Sequence, residues 1–281
     1  MIRPEDFDFH FDESSDWQWA ETLALPFTLV DENINVIVYL VTRPKLGVCM
    51  CDITMLDRIA PLWEEQLYVD NMQHLPCPET LTSFTLPNGL SFEVIEPLKL
   101  YRMKYEGFED TSFELEYRAL HEPFDINDPE MDPTADRSWG PRPEYNNSAV
   151  IWWHASFDED LVVHLFTGHD LANRNEMGPH VSGYVLEKGQ VYGIVSSEGE
   201  QEYQAAMPMG GRLSVTDIRG KNFAFTYSTV NGCYWAPCPS NTYLQSSLRV
   251  AHGDMIGSGV QQLGLSRAYL TRNRDAIRTR N

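Results

Sequence analysis

The chain has 281 residues, enough for one large β domain or two of roughly 130 each. It carries 21 Lys plus Arg against 41 Asp plus Glu, and a formal net charge of −20 repels polyanions instead of displacing their counterions, which argues against nucleic acid and anionic membranes as partners. No stretch approaches the ~18 uncharged apolar residues of a membrane helix, and Met1-Ile-Arg-Pro-Glu-Asp-Phe-Asp8 has no basic segment followed by an apolar run, so membrane insertion and a processed leader are not expected.

Period-2 alternation dominates the first half. The segment Ile34 to Thr42 reads as a strand entered through Asp31-Glu-Asn33 and stopped by Pro44, and Val48 to Ile53 reads as a second with Cys49 and Cys51 on one face. Leu56 to Val69 invites a helix, although Pro61 sits early in it. Thr80 to Thr85 and Leu90 to Ile95 form a hairpin about Pro87-Asn88-Gly89. Beyond Pro97, the strand Lys99 to Tyr105 sets Tyr101, Met103 and Tyr105 on one face, and Thr111 to Ala119 turns Phe113, Leu115, Tyr117 and Ala119 inward against Glu114, Glu116 and Arg118. The result is an antiparallel meander over 1–122.

From His121 to Pro143 alternation stops, and five prolines and several acids mark a connection, taken as 123–148. The remainder, 149–281, resumes strands at Ala149 to Phe157, Leu161 to Thr167, Val181 to Leu186, Val191 to Ser196, Arg212 to Asp217, Phe223 to Thr229 and Leu244 to Ala251, with turns at Gly189-Gln190 and Arg219-Gly220 and a C-terminal helical stretch over Ala268 to Arg278. The fold class is therefore all-β: two consecutive antiparallel barrels or sandwiches with few helices. Five cysteines cannot all pair, and neither Cys49-Met-Cys51 nor Cys233-x4-Cys238 has the spacing of a zinc ribbon or a redox pair, so they read as reduced thiols of a cytoplasmic protein.

Two groups of residues could carry chemistry. If Asp158-Glu159-Asp160 forms a hairpin loop, His154 lies opposite His164 and Trp152 opposite Phe166, so two imidazoles share a face with two aromatics and can act as acid, base or ligand anchor; they can equally be hydrogen-bonded bystanders on a sheet surface. In Asp136-Arg137-Ser138-Trp139-Gly140-Pro141-Arg142, a guanidinium between an acid and an indole can be held as a stacked fork, and the indole can plug a barrel mouth. The arginines favour an ionised Asp136, a cation stabiliser or base before it is an acid. The same segment can also be a purely structural corner. Phosphate-binding glycine loops, a nucleophile elbow and metal-ligand spacings are absent from the sequence, so no cofactor and no metal are expected.

The Asp-Arg-Ser-Trp-Gly-Pro-Arg hinge resembles that of a double lipocalin-like family that includes the carotenoid hydratases, and is more similar still to bacterial relatives carrying Asp-His-Ser-Trp-Gly-x-Arg. Gly89 to Met103, Val215-Thr-Asp-Ile-Arg-Gly220 and Gly257-Ser-Gly-Val-Gln-Gln262 add to the likeness. The resemblance implies two lipocalin-like barrels around an apolar cavity and cofactor-free addition or rearrangement at a carbon–carbon double bond; Arg137 stands where the relatives have His. The expected function is a cofactor-independent lyase or isomerase (hydratase, dehydratase or double-bond isomerase) acting on a hydrophobic terpenoid, steroid or aromatic-type molecule. His154 or His164 would transfer the proton with Asp136 as partner. Trp139, Trp152 and Trp153 would shape the cavity and stabilise cations, Arg137 and Arg142 would anchor polar groups, and Tyr101 and Tyr117 would line the cavity. Competing expectations are a non-catalytic carrier of a hydrophobic ligand and a solid structural β protein; self-association into a homodimer is left open.

Overall fold

A computed structural model of the chain describes residues 3–120, 136–142, 149–158, 160–170, 173–204, 207–238 and 241–275, the side chains of Asp136, Arg137, Trp139 and Cys238 excepted. The first half holds β1 (Trp19–Ala24), β2 (Phe27–Leu29), β3 (Ile34–Arg43), β4 (Val48–Leu56), β5 (Ile59–Ala60), β6 (Tyr68–Pro76), β7 (Ser83–Thr85), β8 (Leu90–Glu96), β9 (Leu100–Glu106), β10 (Ser112–Arg118) and β11 (Asp136–Pro141). One sheet runs β11-β1-β3-β4-β6 with β2 added to β3, and a second runs β10-β9-β8-β7. Alternation decides which faces meet. Leu23, Val38, Leu40, Cys51 and Ile53 of the first sheet share a core with Phe84, Phe92, Tyr101, Met103 and Tyr105 of the second.

The second half is β12 (Ala149–Asp158), β13 (Leu161–Gly168), β14 (His180–Glu187), β15 (Gln190–Gln204), β16 (Met207–Asp217), β17 (Asn222–Cys238), β18 (Asn241–His252) and β19 (Met255–Ser266), followed by the short α1 (Arg267–Arg272). Each strand pairs with the next, and β12 pairs with β19, so eight antiparallel strands close into an up-and-down barrel without edges. Its turns are chemically specified. Lys188 and Gly189, at φ of 52° and 74°, make the two-residue turn between Glu187 and Gln190. Ser266 caps α1 by accepting the Tyr269 N–H at 3.1 Å.

Two expectations need correction. Leu56 to Val69 is not a helix: Leu56 ends β4, Ile59 and Ala60 pair in parallel with Gly232 and Cys233, Trp63–Glu65 is a single 3-10 turn, and Tyr68 opens β6. Pro61 blocks a continuous helix, and Leu62, Trp63 and Leu67 are exposed, so no apolar helical face would be covered. The hinge is not a free connection either, because Asp136–Pro141 pairs along β1 from Ala24 to Trp19 as an edge strand, the position where Pro141 is tolerated. The first half takes the sandwich form of the expected all-β architecture, two facing sheets with no strand pairing between them among the described residues.

The halves touch through the outer faces of β3, β4 and β17. Ile37, Leu56, Cys233 and Trp235 form a small cluster with Tyr39 and Tyr243, and the Tyr39 and Trp235 rings meet edge to face at 5.1 Å. Asn231 donates to the Asn33 carbonyl at 3.0 Å.

Candidate functional site

The predicted register of the two histidine strands is observed. His154 pairs with His164 and Trp152 with Phe166, but a bulge at Phe157 brings Asp158 opposite Leu161, so the connection is one residue tighter than the three-residue loop expected. From Ser156 toward the histidines the shared face survives, since the bulge absorbs the difference before it reaches them.

That face is the outer wall of the barrel. Ile151, Trp153, Ala155, Val163 and Leu165 point into the barrel core, so period-2 geometry turns Trp152, His154, His164 and Phe166 outward. The wall is nonetheless well covered: all four side chains are partly buried, and Val162, Tyr184 and Leu186 beside them form a buried apolar cluster. The His154 and His164 rings stand perpendicular with centroids 6.1 Å apart, and His164 also meets Phe166 at 5.3 Å and Tyr184 at 5.2 Å.

The two imidazoles differ electrostatically. Trp152 Nε1–H donates to His164 Nε2 at 2.9 Å, so the neutral ring carries its proton on Nδ1. For His154, burial disfavours the imidazolium and pushes the pKa down to about 4, with no charged neighbour contributing. His154 is therefore neutral at pH 7, with a lone pair available on an aromatic wall.

Cross-strand rows extend this wall toward the other half. Cys233, Gln245, Gln262, Trp152 and Phe166 follow one another across β17, β18, β19, β12 and β13, and Asn231, Ser247, Val260, His154 and His164 form the adjacent row. Gln262 Nε2 donates to Gln245 Oε1 at 3.0 Å, placing an amide pair next to Trp152. Both glutamines escaped the sequence reading; the signal was their alternation with Leu244 and Leu263, which face the core.

The remaining predicted residues scatter. Trp153, adjacent to Trp152, is fully buried inside the barrel. Tyr101 and Tyr117 belong to the first half. Tyr101 stacks on Phe7 and Phe92 at 5.0 and 5.9 Å, and burial raises its pKa to about 12; the Tyr117 hydroxyl donates to the Leu25 and Pro26 carbonyls at 2.7 and 2.6 Å. They fill and tie the core rather than line an open cavity. Arg142 is exposed and donates to Ser138 Oγ at 2.6 Å, while Ser138 Oγ meets Thr22 Oγ1 at 2.6 Å. The side chains of Asp136, Arg137 and Trp139 lie outside the described residues, as does Glu159.

One acid was missed. Asp52, on the outer face of β4, is 1% exposed, accepts from Thr54 Oγ1 at 2.8 Å and from Asn71 Nδ2, and has its pKa raised above all by burial. Trp235 makes no well-aligned hydrogen bond through its indole N–H, yet it lies near enough to favour the ionised form of Asp52. An acid inside the apolar run Val48 to Leu56 was its only sequence signal. Among the described residues no three His, Cys, Asp or Glu side chains converge as metal ligands, and no helix is long and apolar enough to cross a membrane. Cys49, Cys51, Cys77 and Cys233 are free thiols.

Comparison with known proteins agrees with this architecture. Residues 133–260 match a family described as a domain of unknown function, DUF7064. None of the curated proteins matches. Among solved structures the chain is similar to kievitone hydratase from Nectria haematococca, with a TM-score of 0.53 and 10% identity over 92% of each chain. The fold is lipocalin-like, of the type this hydratase has. At this identity the likeness concerns the fold, and activity must be argued from the site.

Proposed function

We propose that the protein is a lyase or isomerase of the hydratase type, acting by acid/base chemistry on a hydrophobic small molecule held against the aromatic outer wall of the barrel. The observation that carries this reading is His154: a neutral imidazole with a depressed pKa, with no carboxylate beside it among the described residues, on a face with Trp152, His164 and Phe166. That kievitone hydratase has a similar fold supports the reaction class.

In the proposed reaction, His154 takes a proton from the carbon next to a substrate carbonyl, giving an enolate and an imidazolium. The imidazolium returns that proton to a β-hydroxyl, which leaves as water as the double bond forms; returning it to another carbon gives isomerisation instead. Hydration runs the same steps backwards. Trp152 and Phe166, whose rings lie nearly parallel at 6.4 Å, supply a flat apolar surface, and the His164 ring locked by Trp152 sets the polarity beside it.

The test is solvent deuterium uptake. The purified full chain is incubated in D2O with a panel of hydrophobic β-hydroxyketones and enones, and label at the α-carbon is read by mass spectrometry. Wild type should incorporate label into at least one class, and His154→Gln should lose about 100-fold or more of that rate. Equal rates for wild type and His154→Gln would refute the assignment.

A further inference from the structure

The aromatic outer wall borders on a polar side chain to which the proton-transfer step gives no role. Gln262 on β19 is partly buried and stands between Gln245 on β18 and Trp152 on β12 in one cross-strand row. Gln245 is 1% exposed and accepts the Gln262 Nε2–H at 3.0 Å. The nitrogen and oxygen of a primary amide diverge from its carbon. Anchoring the nitrogen toward β18 therefore turns Gln262 Oε1 away from Gln245, to the side of the row that holds Trp152. No donor among the described residues reaches that oxygen, and it is not sealed from solvent.

The position of this oxygen matters because of what surrounds it. Neighbouring strands lie about 5 Å apart, so Gln262 adjoins Trp152 directly, and it is one diagonal place, about 7 Å, from His154, whose own partner on β19 is Val260. Of the partly buried residues on this stretch of wall, Gln262, Trp152, His154, His164 and Phe166, Gln262 alone carries a carbonyl. An exposed glutamine ordinarily samples many rotamers, and holding one costs side-chain entropy. Here Gln245 holds it, which leaves a fixed hydrogen-bond acceptor beside a flat apolar ring. Such an acceptor discriminates by chemistry: a hydroxyl satisfies it, whereas an ether oxygen at the same place sets two acceptors against each other.

We propose that Gln262 sets the substrate class of the wall: a flat, neutral, apolar molecule that lies on Trp152 and donates a hydroxyl hydrogen bond to Gln262 Oε1, with Gln245 as the positioning residue that fixes the amide. The hydroxyl must be protonated, because an alkoxide or phenolate has no hydrogen to donate and would face the carbonyl oxygen with its charge. This inference rests on the reading of the wall as a substrate surface and deepens it. A hydroxyl held one diagonal place from His154 is placed to be the group that leaves: the imidazolium gives its proton to the hydroxyl oxygen, the C–O bond breaks with its electron pair going to that oxygen, and the enolate electrons form the double bond as water departs. In hydration the same acceptor holds the attacking water.

The test compares 2-naphthol with 2-methoxynaphthalene, which share a flat ring and differ in the donor, as probes of the full chain labelled with 15N-tryptophan at pH 7. The Trp152 indole signal is assigned by its loss in Trp152→Phe. 2-Naphthol should shift that signal saturably and bind at least about tenfold more tightly than its methyl ether. Gln262→Leu and Gln262→Met, each checked for folding by circular dichroism, should bring the two probes within about twofold of each other, and Gln245→Leu should cut the preference at least about threefold. The proposal is overturned by the absence of a saturable shift with either probe, by equal binding of the two in wild type, or by an undiminished preference in folded Gln262→Leu and Gln262→Met; an undiminished preference in Gln245→Leu overturns the positioning role. None of these measurements needs turnover. A naphthol preference without deuterium uptake on any substrate refutes His154 as the base and leaves hydroxyl recognition standing, whereas uptake without the preference refutes only the assignment of Gln262.

Discussion

Removing the imidazole at position 154 should change how the protein responds to acid. Folding lowers the His154 pKa from 6.5 to about 4, a difference of roughly 2.5 units, or about 3 kcal/mol at ~1.4 kcal/mol per unit. Because the ring is only partly buried, solvent screening reduces this to about 2–3 kcal/mol. The sign follows from proton counting. Between pH 4 and 6.5 the unfolded chain binds a proton at this histidine and the native chain does not, so stability is complete above 6.5 and is lost as pH falls through 4. His169, 7% exposed and also lowered to about 4 chiefly by burial, acts in the same direction and remains in the variant. Urea midpoints of wild type and His154→Gln should therefore be compared at pH 7.5 and at pH 4.5. The stability difference between the two proteins should move by about 2 kcal/mol in favour of the variant at the lower pH. A pH-independent difference, or a His154 ring signal titrating near 6.5 in an NMR series, would refute the burial argument and with it the neutral base.

The neighbouring tryptophans should separate by face: Trp153→Ala, which empties a fully buried volume, should cost about 3–5 kcal/mol in urea unfolding, and Trp152→Ala less than about 2. Tyr117→Phe should cost about 1–2 kcal/mol by the same measurement, because two backbone carbonyls lose their donor, and should leave deuterium uptake unchanged. Gly89→Ala should lower the melting temperature far more than Gly47→Ala: both have positive φ, but a Cβ at 89 would lie 2.0 Å from the Glu106 carbonyl oxygen, whereas one at 47 meets open space. Asp52→Asn should gain stability relative to wild type as pH rises, since the raised pKa means that ionising Asp52 weakens the fold; parallel stability curves in urea would contradict this.

How far the sequence foretold this molecule depended on the range of each interaction. The hairpin of His154 and His164 was legible because strand alternation and a nearby turn fix register locally, and a bulge at Phe157 left that register intact. Which face looked inward was harder to read. Ile151 to Ala155 offers Ile, Trp and Ala on one side and Trp and His on the other, and both sides are apolar enough to be buried. The purely aliphatic partners Val163 and Leu165 mark the core side, and the mixed set Trp152, His154, His164 and Phe166 marks the outer wall. The hinge was legible as a boundary but not as a strand, because β1, its partner, lies more than a hundred residues earlier and proline argues locally against pairing.

The buried polar side chains inside the closed barrel could not be read from any segment. Gln201, Ser246 and Gln261 look like solvent-facing residues one at a time, and only closure of β12 onto β19 makes them neighbours across a lumen. The two faces of the wall thus depend on the same closure in opposite ways. A closed wall has an inside that must satisfy its own polar atoms, and an outside whose aromatic rows stay buried only if something covers them. Asn231, Cys233 and Trp235 show how the first half covers one end of those rows, through the Asn33 carbonyl and Tyr39. Gln245 and Ser247, 1% and 3% exposed, continue the cover inward, and exposure rises at Gln262, Trp152 and His154. On the proposed reading, a surface that passes in this way from sealed contact to partial access, ending on a neutral imidazole, would let an apolar substrate gain burial and meet a base in one place.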